Sequence, residues 1–162
     1  MWRYLRDWGI SIAIAAAVYL AFSALRPGPD LPEISPEFVL LDVDGETHAL
    51  SDYKGQTVVL NFWATWCGPF RTEIPTFSQF AVDHPDVPVL GIAADGTPAG
   101  LKAFGKKLDM RYPILLGDKE TLALYDIDTF PTTVIVGPDG SVEDAHVGIM
   151  MDWQLELAVD DD

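Results

Sequence analysis

Cys67 is the only cysteine in the chain, so any thiol chemistry rests on one sulfur. It sits in Asn61-Phe62-Trp63-Ala64-Thr65-Trp66-Cys67-Gly68-Pro69-Phe70. A thiolate attacks disulfides, and a second thiol three residues on would release the product from within the chain. That position holds Phe70, which leaves a nucleophile without an internal partner. A single cysteine also excludes an intramolecular disulfide and a zinc site built from cysteines. The position of Cys67 sets it apart from an ordinary buried cysteine. An apolar run, Thr57 to Ala64, ends just before it, and Gly68-Pro69 follows it. Such a run suits a strand buried on both faces. Proline fits the first turn of a helix, where its missing N–H is not needed. Cys67 is therefore expected at a strand end and a helix start. There, free N–H groups and the positive end of the helix dipole favour a thiolate. Trp63 and Trp66 are expected to flank the site with apolar surface.

The elements that must hold this junction follow from hydrophobic periodicity. Residues 38–50 alternate around Asp44-Gly45, a hairpin signal. Residues 67–82 place Phe70, Ile74, Phe77 and Phe80 at helical spacing, and Pro75 within them predicts a kink. Residues 87–94 form a second buried strand, and 98–108 an amphipathic helix. A short strand at 112–118 and a short helix at 119–127 come next. Two strands within 132–148 surround Pro138-Asp139-Gly140, and a helix over 151–159 closes the chain. Alternating buried strands and helices predict an α/β fold, a mixed sheet covered by helices on both faces.

Charge and the N-terminus bound the setting. The chain carries 25 Asp and Glu against 10 Lys and Arg, a net charge of −15. Such a surface repels phosphate backbones, so nucleic acid is excluded as a partner. A solvated acidic surface is the plain reading, and adaptation to a saline medium the sharper one. Residues 8–25 contain no charge and, as a helix, would span about 27 Å, the thickness of a hydrocarbon core. Arg3 and Arg6 precede the run, which puts the N-terminus on the cytoplasmic side and the rest outside. The expected organisation is a membrane anchor at 1–26, a proline-rich spacer at 27–36 and one domain at 37–162. A signal peptide, cleaved to release a secreted domain, is the competing reading.

The segment from Asn61 to Pro75 resembles the active-site motif of the TlpA-like and ResA-like branch of the thioredoxin superfamily. That branch carries F-W-A-T-W-C-x-P-C-R-x-E-x-P. This chain matches at Phe62, Trp63, Ala64, Thr65, Trp66, Cys67, Pro69, Arg71, Glu73 and Pro75. A second match is Phe130-Pro131 with the strand after it, which resembles the family's cis-proline segment. The resemblance covers residues 33 to 159. It implies a thioredoxin-like three-layer fold behind an N-terminal transmembrane helix, in the inner membrane with the domain facing the periplasm or cell exterior. It implies that Cys67 attacks disulfides, with Trp63, Trp66, Gly68, Pro69 and Phe70 around it. Phe130 and Pro131 would bind an extended substrate segment. Asn61 lies where thioredoxin itself carries a buried Asp that helps proton transfer. Asp95 and Glu73 are candidates for that role, although a solvated or helix-capping position is expected of each. Phe70 departs from the pattern, because the family has its resolving cysteine there.

Two functions remain open on the sequence. In the first, Cys67 exchanges with protein or small-molecule thiols and disulfides, and an outside thiol completes the cycle. In the second, the domain is a redox-inactive peptide-binding module, with Phe70 enlarging an apolar groove floor beside Pro131. Neither requires a cofactor or a metal. His48, His84 and His146 share no ligand spacing and are expected to be structural. A peroxide-reducing site needs Thr three residues before its cysteine, and Ala64 stands there.

Overall fold

The computed structural model describes residues 29–159. The expected anchor and the first two spacer residues lie outside that range. Among the described residues, no helix is long and apolar enough to cross a membrane.

A hairpin comes first, β1 (Val39–Leu41) and β2 (Thr47–Ala49), paired antiparallel. Its turn is built by Asp42, whose Oδ1 accepts from the N–H groups of Asp44 (2.8 Å) and Glu46 (2.9 Å). Gly45 takes the left-handed conformation that closes it, at φ 89°. A 3-10 turn at Leu50–Tyr53 leads into β3 (Val58–Trp63), where every residue is buried. Helix α1 (Gly68–Asp83) follows, then β4 (Val89–Ala93), α2 (Pro98–Lys107) and β5 (Ile114–Leu116). A short helix, α3 (Lys119–Leu124), leads to β6 (Thr132–Val136) and β7 (Val142–Val147). The last element is α4 (Asp152–Val159).

Strands β3 to β7 form one sheet in the order β5-β4-β3-β6-β7. β3 pairs parallel with β4, β4 parallel with β5, and the β3–β6 and β6–β7 pairs are antiparallel. The sheet is therefore mixed, as expected. Alternation along β3 divides the core. Leu60 and Phe62 join Leu90, Ile92, Val134 and Tyr125 on one face, under the hairpin and α3. Val59 and Trp63 face the other way, toward Phe70, Ile74 and Phe77 of α1, Leu101 of α2 and Leu155 of α4. Each layer exists because the sheet is apolar on both sides.

Boundaries differ where local chemistry stops an element early. α3 ends at Leu124 rather than 127, and Asp126 behind it has φ 49°, which breaks the helix. Helix α1 runs through Pro75 for more than two further turns, so the expected kink does not end it. Pro75 lies on its exposed side.

The second half of the spacer is tied to the domain. Val142 N–H donates to Glu33 O at 2.9 Å, and Ser35 N–H to Gly140 O at 2.9 Å. The buried Tyr125 hydroxyl donates to Pro36 O at 2.6 Å and lies 2.7 Å from Ser35 Oγ. With its hydrogen committed to Pro36, Tyr125 is the acceptor in that second bond. Tyr125→Phe removes both bonds and takes a partner from the buried Ser35 hydroxyl and the half-buried Pro36 carbonyl. It should cost about 1–2 kcal/mol, read as a lower urea midpoint at unchanged slope.

Candidate active site

Cys67 is the residue immediately before α1, extended at φ −73° and ψ 108°, with Gly68 and Pro69 in the first turn. The strand-to-helix turn is closed by a bond from Cys67 N–H to Ala64 O at 3.0 Å. Asp95, just beyond β4, pins the same turn. It accepts from Thr65 N–H at 2.7 Å and from the Thr65 hydroxyl at 2.6 Å. From the other side, Arg71 donates to Thr65 O at 2.9 Å. Both carboxylate oxygens of Asp95 are thus committed to holding the loop. The sequence had offered Asp95 for proton transfer, and the structure gives it a positioning role.

The Phe130–Pro131 bond is cis, as expected. Phe130 O lies 3.4 Å from Cys67 Sγ and accepts its S–H. Antiparallel pairing of Phe62 with Thr132 brings this loop to the end of β3 where Cys67 begins. Residues 63 apart in sequence thereby share one site. The Phe130 ring meets the ring of Trp66 edge-on at 5.8 Å. Trp66 is 70% exposed, whereas Cys67 is only 3% exposed.

Two expectations about the surround are corrected. Trp63 provides no surface: it is fully buried behind the site. Phe70 does not floor a groove either, because it is fully buried on the inner face of α1. Its ring stacks on Trp63 at 4.3 Å and 10°, and Phe104 of α2 also stacks on Trp63 at 5.3 Å and 20°. Arg71 caps the ladder, its guanidinium carbon 5.5 Å from the Phe104 ring centre. Helical periodicity forces this placement. Phe70, Ile74 and Phe77 share one face, and that face meets the sheet. Gly91 on β4 leaves room for the indole; a Cβ there would lie 3.1 Å from Trp63 Nε1 and 2.8 Å from the Tyr112 ring.

One turn beyond Phe70, Glu73 is 1% exposed, neither solvated nor a helix cap as expected. Asn61 Nδ2 donates to its Oε1 at 2.9 Å and Met150 N–H to its Oε2 at 3.2 Å. Asn61 Nδ2 also reaches Thr133 Oγ1 at 3.2 Å. Burial pushes the Glu73 carboxyl up to about 7, and the two hydrogen bonds restrain the rise. Asn61 thus serves as the donor to a buried acid that comes from the helix. The sequence signal for this was a Glu on the apolar stripe of α1, three residues after Phe70. Met150, the third member, carried no signal, because its main chain makes the contact.

The histidines stand apart, each with its own partner. His48 bonds Tyr53 and Asp42, His84 bonds Glu156, and His146 bonds Ile149 O.

Known proteins resemble this chain over most of its length. The model of the AhpC/TSA family matches residues 32–145. The thioredoxin-like protein YneN of Bacillus subtilis is 34% identical over 147 residues, which is 88% of this chain and 86% of its own. The thiol-disulfide oxidoreductase ResA of Bacillus cereus is 31% identical over 148 residues, 89% of this chain and 85% of its own. Among solved structures, a thiol:disulfide interchange protein DsbE from Chlorobium tepidum superposes with a TM-score of 0.72 at 26% identity, covering 81% of this chain and 99% of that one. StoA from Bacillus subtilis gives 0.67 at 28% identity, covering 78% and 98%.

Two outcomes follow from the buried groups. Phe70→Ala should lose about 3–5 kcal/mol of stability, because it removes the ring's burial and its stack on Trp63. Glu73 adds a pH dependence. Between about 4.5 and about 7 the native protein keeps a proton that the unfolded chain has released. Stability should therefore fall as pH rises through that window. Glu73→Gln should flatten this part of the curve when urea midpoints are compared across it.

Proposed function

The chain belongs to the AhpC/TSA family, and from that premise we propose that it is a thiol-disulfide exchange protein acting through Cys67 alone. The observation that carries the reading is the junction itself: the thiol at the start of α1, directed at the carbonyl of Phe130 beside cis-Pro131. Phe70 stands, on this reading, where dithiol relatives keep their resolving cysteine. The peroxide-reducing alternative lacks its hydroxyl, since Ala64 stands three residues before Cys67 and the Thr65 hydroxyl is held by Asp95.

The cycle has two displacements at Cys67 and a third in solution. Cys67, as thiolate, attacks one sulfur of a substrate disulfide; a Cys67–substrate disulfide forms and the other substrate sulfur leaves as a thiolate. With no thiol at position 70, the second displacement comes from outside. An external thiolate attacks the substrate sulfur of that mixed disulfide, forms a new disulfide with it and returns Cys67 as thiolate. A second external thiolate displaces the substrate sulfur in turn, so two external thiols reduce the substrate and become oxidised themselves. Trp66 and Phe130 offer the apolar surface for the approach, and the backbone beside Pro131 pairs with an extended substrate segment. Glu73 is the buried group whose protonation changes near neutrality, and it holds the acid position behind the helix.

The apolar run at 8–25, preceded by Arg3 and Arg6, supports an anchor that displays the domain on the outer side of the membrane. Disulfide substrates are plentiful on that side.

The test is to incubate the protein with a disulfide-bonded peptide in the absence of other thiols. A one-to-one mixed disulfide at Cys67 should accumulate and persist by mass spectrometry, then disappear on addition of glutathione. Cys67→Ser should form none. Rapid release of the peptide without an added thiol, or no adduct at all, would overturn the proposal.

A further inference from the structure

The last helix shows solvent an apolar face that its fold does not use. Trp153 is 66% exposed and Leu157 59%, and four residues apart they lie together on one side of α4. Leu155, on the opposite side, is fully buried in the core. Beside the exposed pair, α4 and β7 enclose a groove of about 520 Å³, lined by Trp153, Gln154 and Leu157 from the helix and Asp144 and His146 from the strand. β7 is the terminal strand of the sheet. Residues 33–35 reach only its beginning, at Ser141 and Val142, so the length facing α4 is not covered by them.

The carboxylates lining this groove are Glu143 and Asp144, and no Lys or Arg lines it. No Lys or Arg follows Lys119 in the sequence. β7 and α4 carry Glu143, Asp144, Asp152 and Glu156; Glu156 is engaged by His84 at 3.1 Å, while Asp144 and Asp152 are exposed. A second copy of this chain, with net charge −15, would meet like charge here.

We propose that the β7–α4 groove docks a cationic segment of a partner protein. A bulky apolar side chain of that segment would seat between Trp153 and Leu157, with Lys or Arg beside Asp144 and Asp152. An exposed tryptophan with a leucine beside it, set against acidic side chains, is the composition expected of an interface anchor, and its ring also attracts a cation. The groove's inner end adjoins the loop after β7, where Gly148 N–H donates to Pro131 O at 2.8 Å. A docked segment therefore lies beside the cis-proline loop. None of the lining residues named takes part in exchange at Cys67, so the docking site stands independently of the thiol reading.

The test uses the full chain and a fluorescent peptide alternating Lys with Leu, together with counterparts carrying Gln or Glu in place of Lys. In anisotropy titrations only the Lys peptide should bind, and added salt should weaken it. Trp153→Ala and Asp144→Lys should each weaken binding about tenfold with an unchanged circular dichroism spectrum. The proposal is overturned if the Gln peptide binds as well as the Lys peptide, or if Trp153→Ala binds like the parent. It is also overturned if sedimentation shows the chain pairing with itself through this face, with Trp153→Ala abolishing the pairing.

Discussion

A carboxyl group placed under a helix costs several kcal/mol if it is ionised and left alone. Glu73 is under α1, and the structure around it is arranged to meet that cost. Asn61 from the central strand and the main chain of Met150 from the segment before α4 both donate to it. One side chain thereby joins the helix that begins at Cys67, the middle of the sheet and the start of the last helix. These parts lie 12 and 77 residues from Glu73 in sequence. The apolar layer on either side, Phe77 with Val59 and Leu155, closes around that joint. Shifting α1 would leave two donors and a carboxyl unpaired in the core, so the helix start that carries Cys67 is fixed in register.

A second constraint acts at the same helix start from above. Asp95 and Arg71 grip the Thr65 backbone from opposite sides, and the ladder of Phe70, Trp63 and Phe104 fills the space beneath. A thiol is much smaller than a phenyl ring. Position 70 is therefore no empty place awaiting sulfur; it is filled by a ring on which the core depends. The site has a pinned loop, a helix terminus and a cis-proline neighbour, and the position one turn on serves packing.

Much of this was legible beforehand because the signals were local. The buried run before Cys67, the Gly68-Pro69 start and the Pro138-Asp139-Gly140 turn each depend on a few adjacent residues. The cis bond at Phe130–Pro131 was legible only through resemblance to a family. What could not be read were contacts that need the third dimension. Phe70 looked like a groove residue because its relation to Trp63 depends on how α1 rotates against β3. Glu73 looked solvated because charged residues usually are, and its donors come from a distant strand and a main-chain amide. Trp63 and Trp66 look alike in sequence, yet strand alternation buries the first and the turn exposes the second.

The attachment of residues 33–36 gives the domain a direction. They bind at the turn between β6 and β7, and β6 runs opposite to β3. That turn lies at the foot of the sheet, and Cys67 at its crown. A six-residue strand separates the two levels by roughly 20 Å. Whatever precedes the domain is thus fastened at the root, and tension arriving along it is borne by β7 and Tyr125. The thiol sits at the opposite end of the sheet from that root, beside the loop of Phe130.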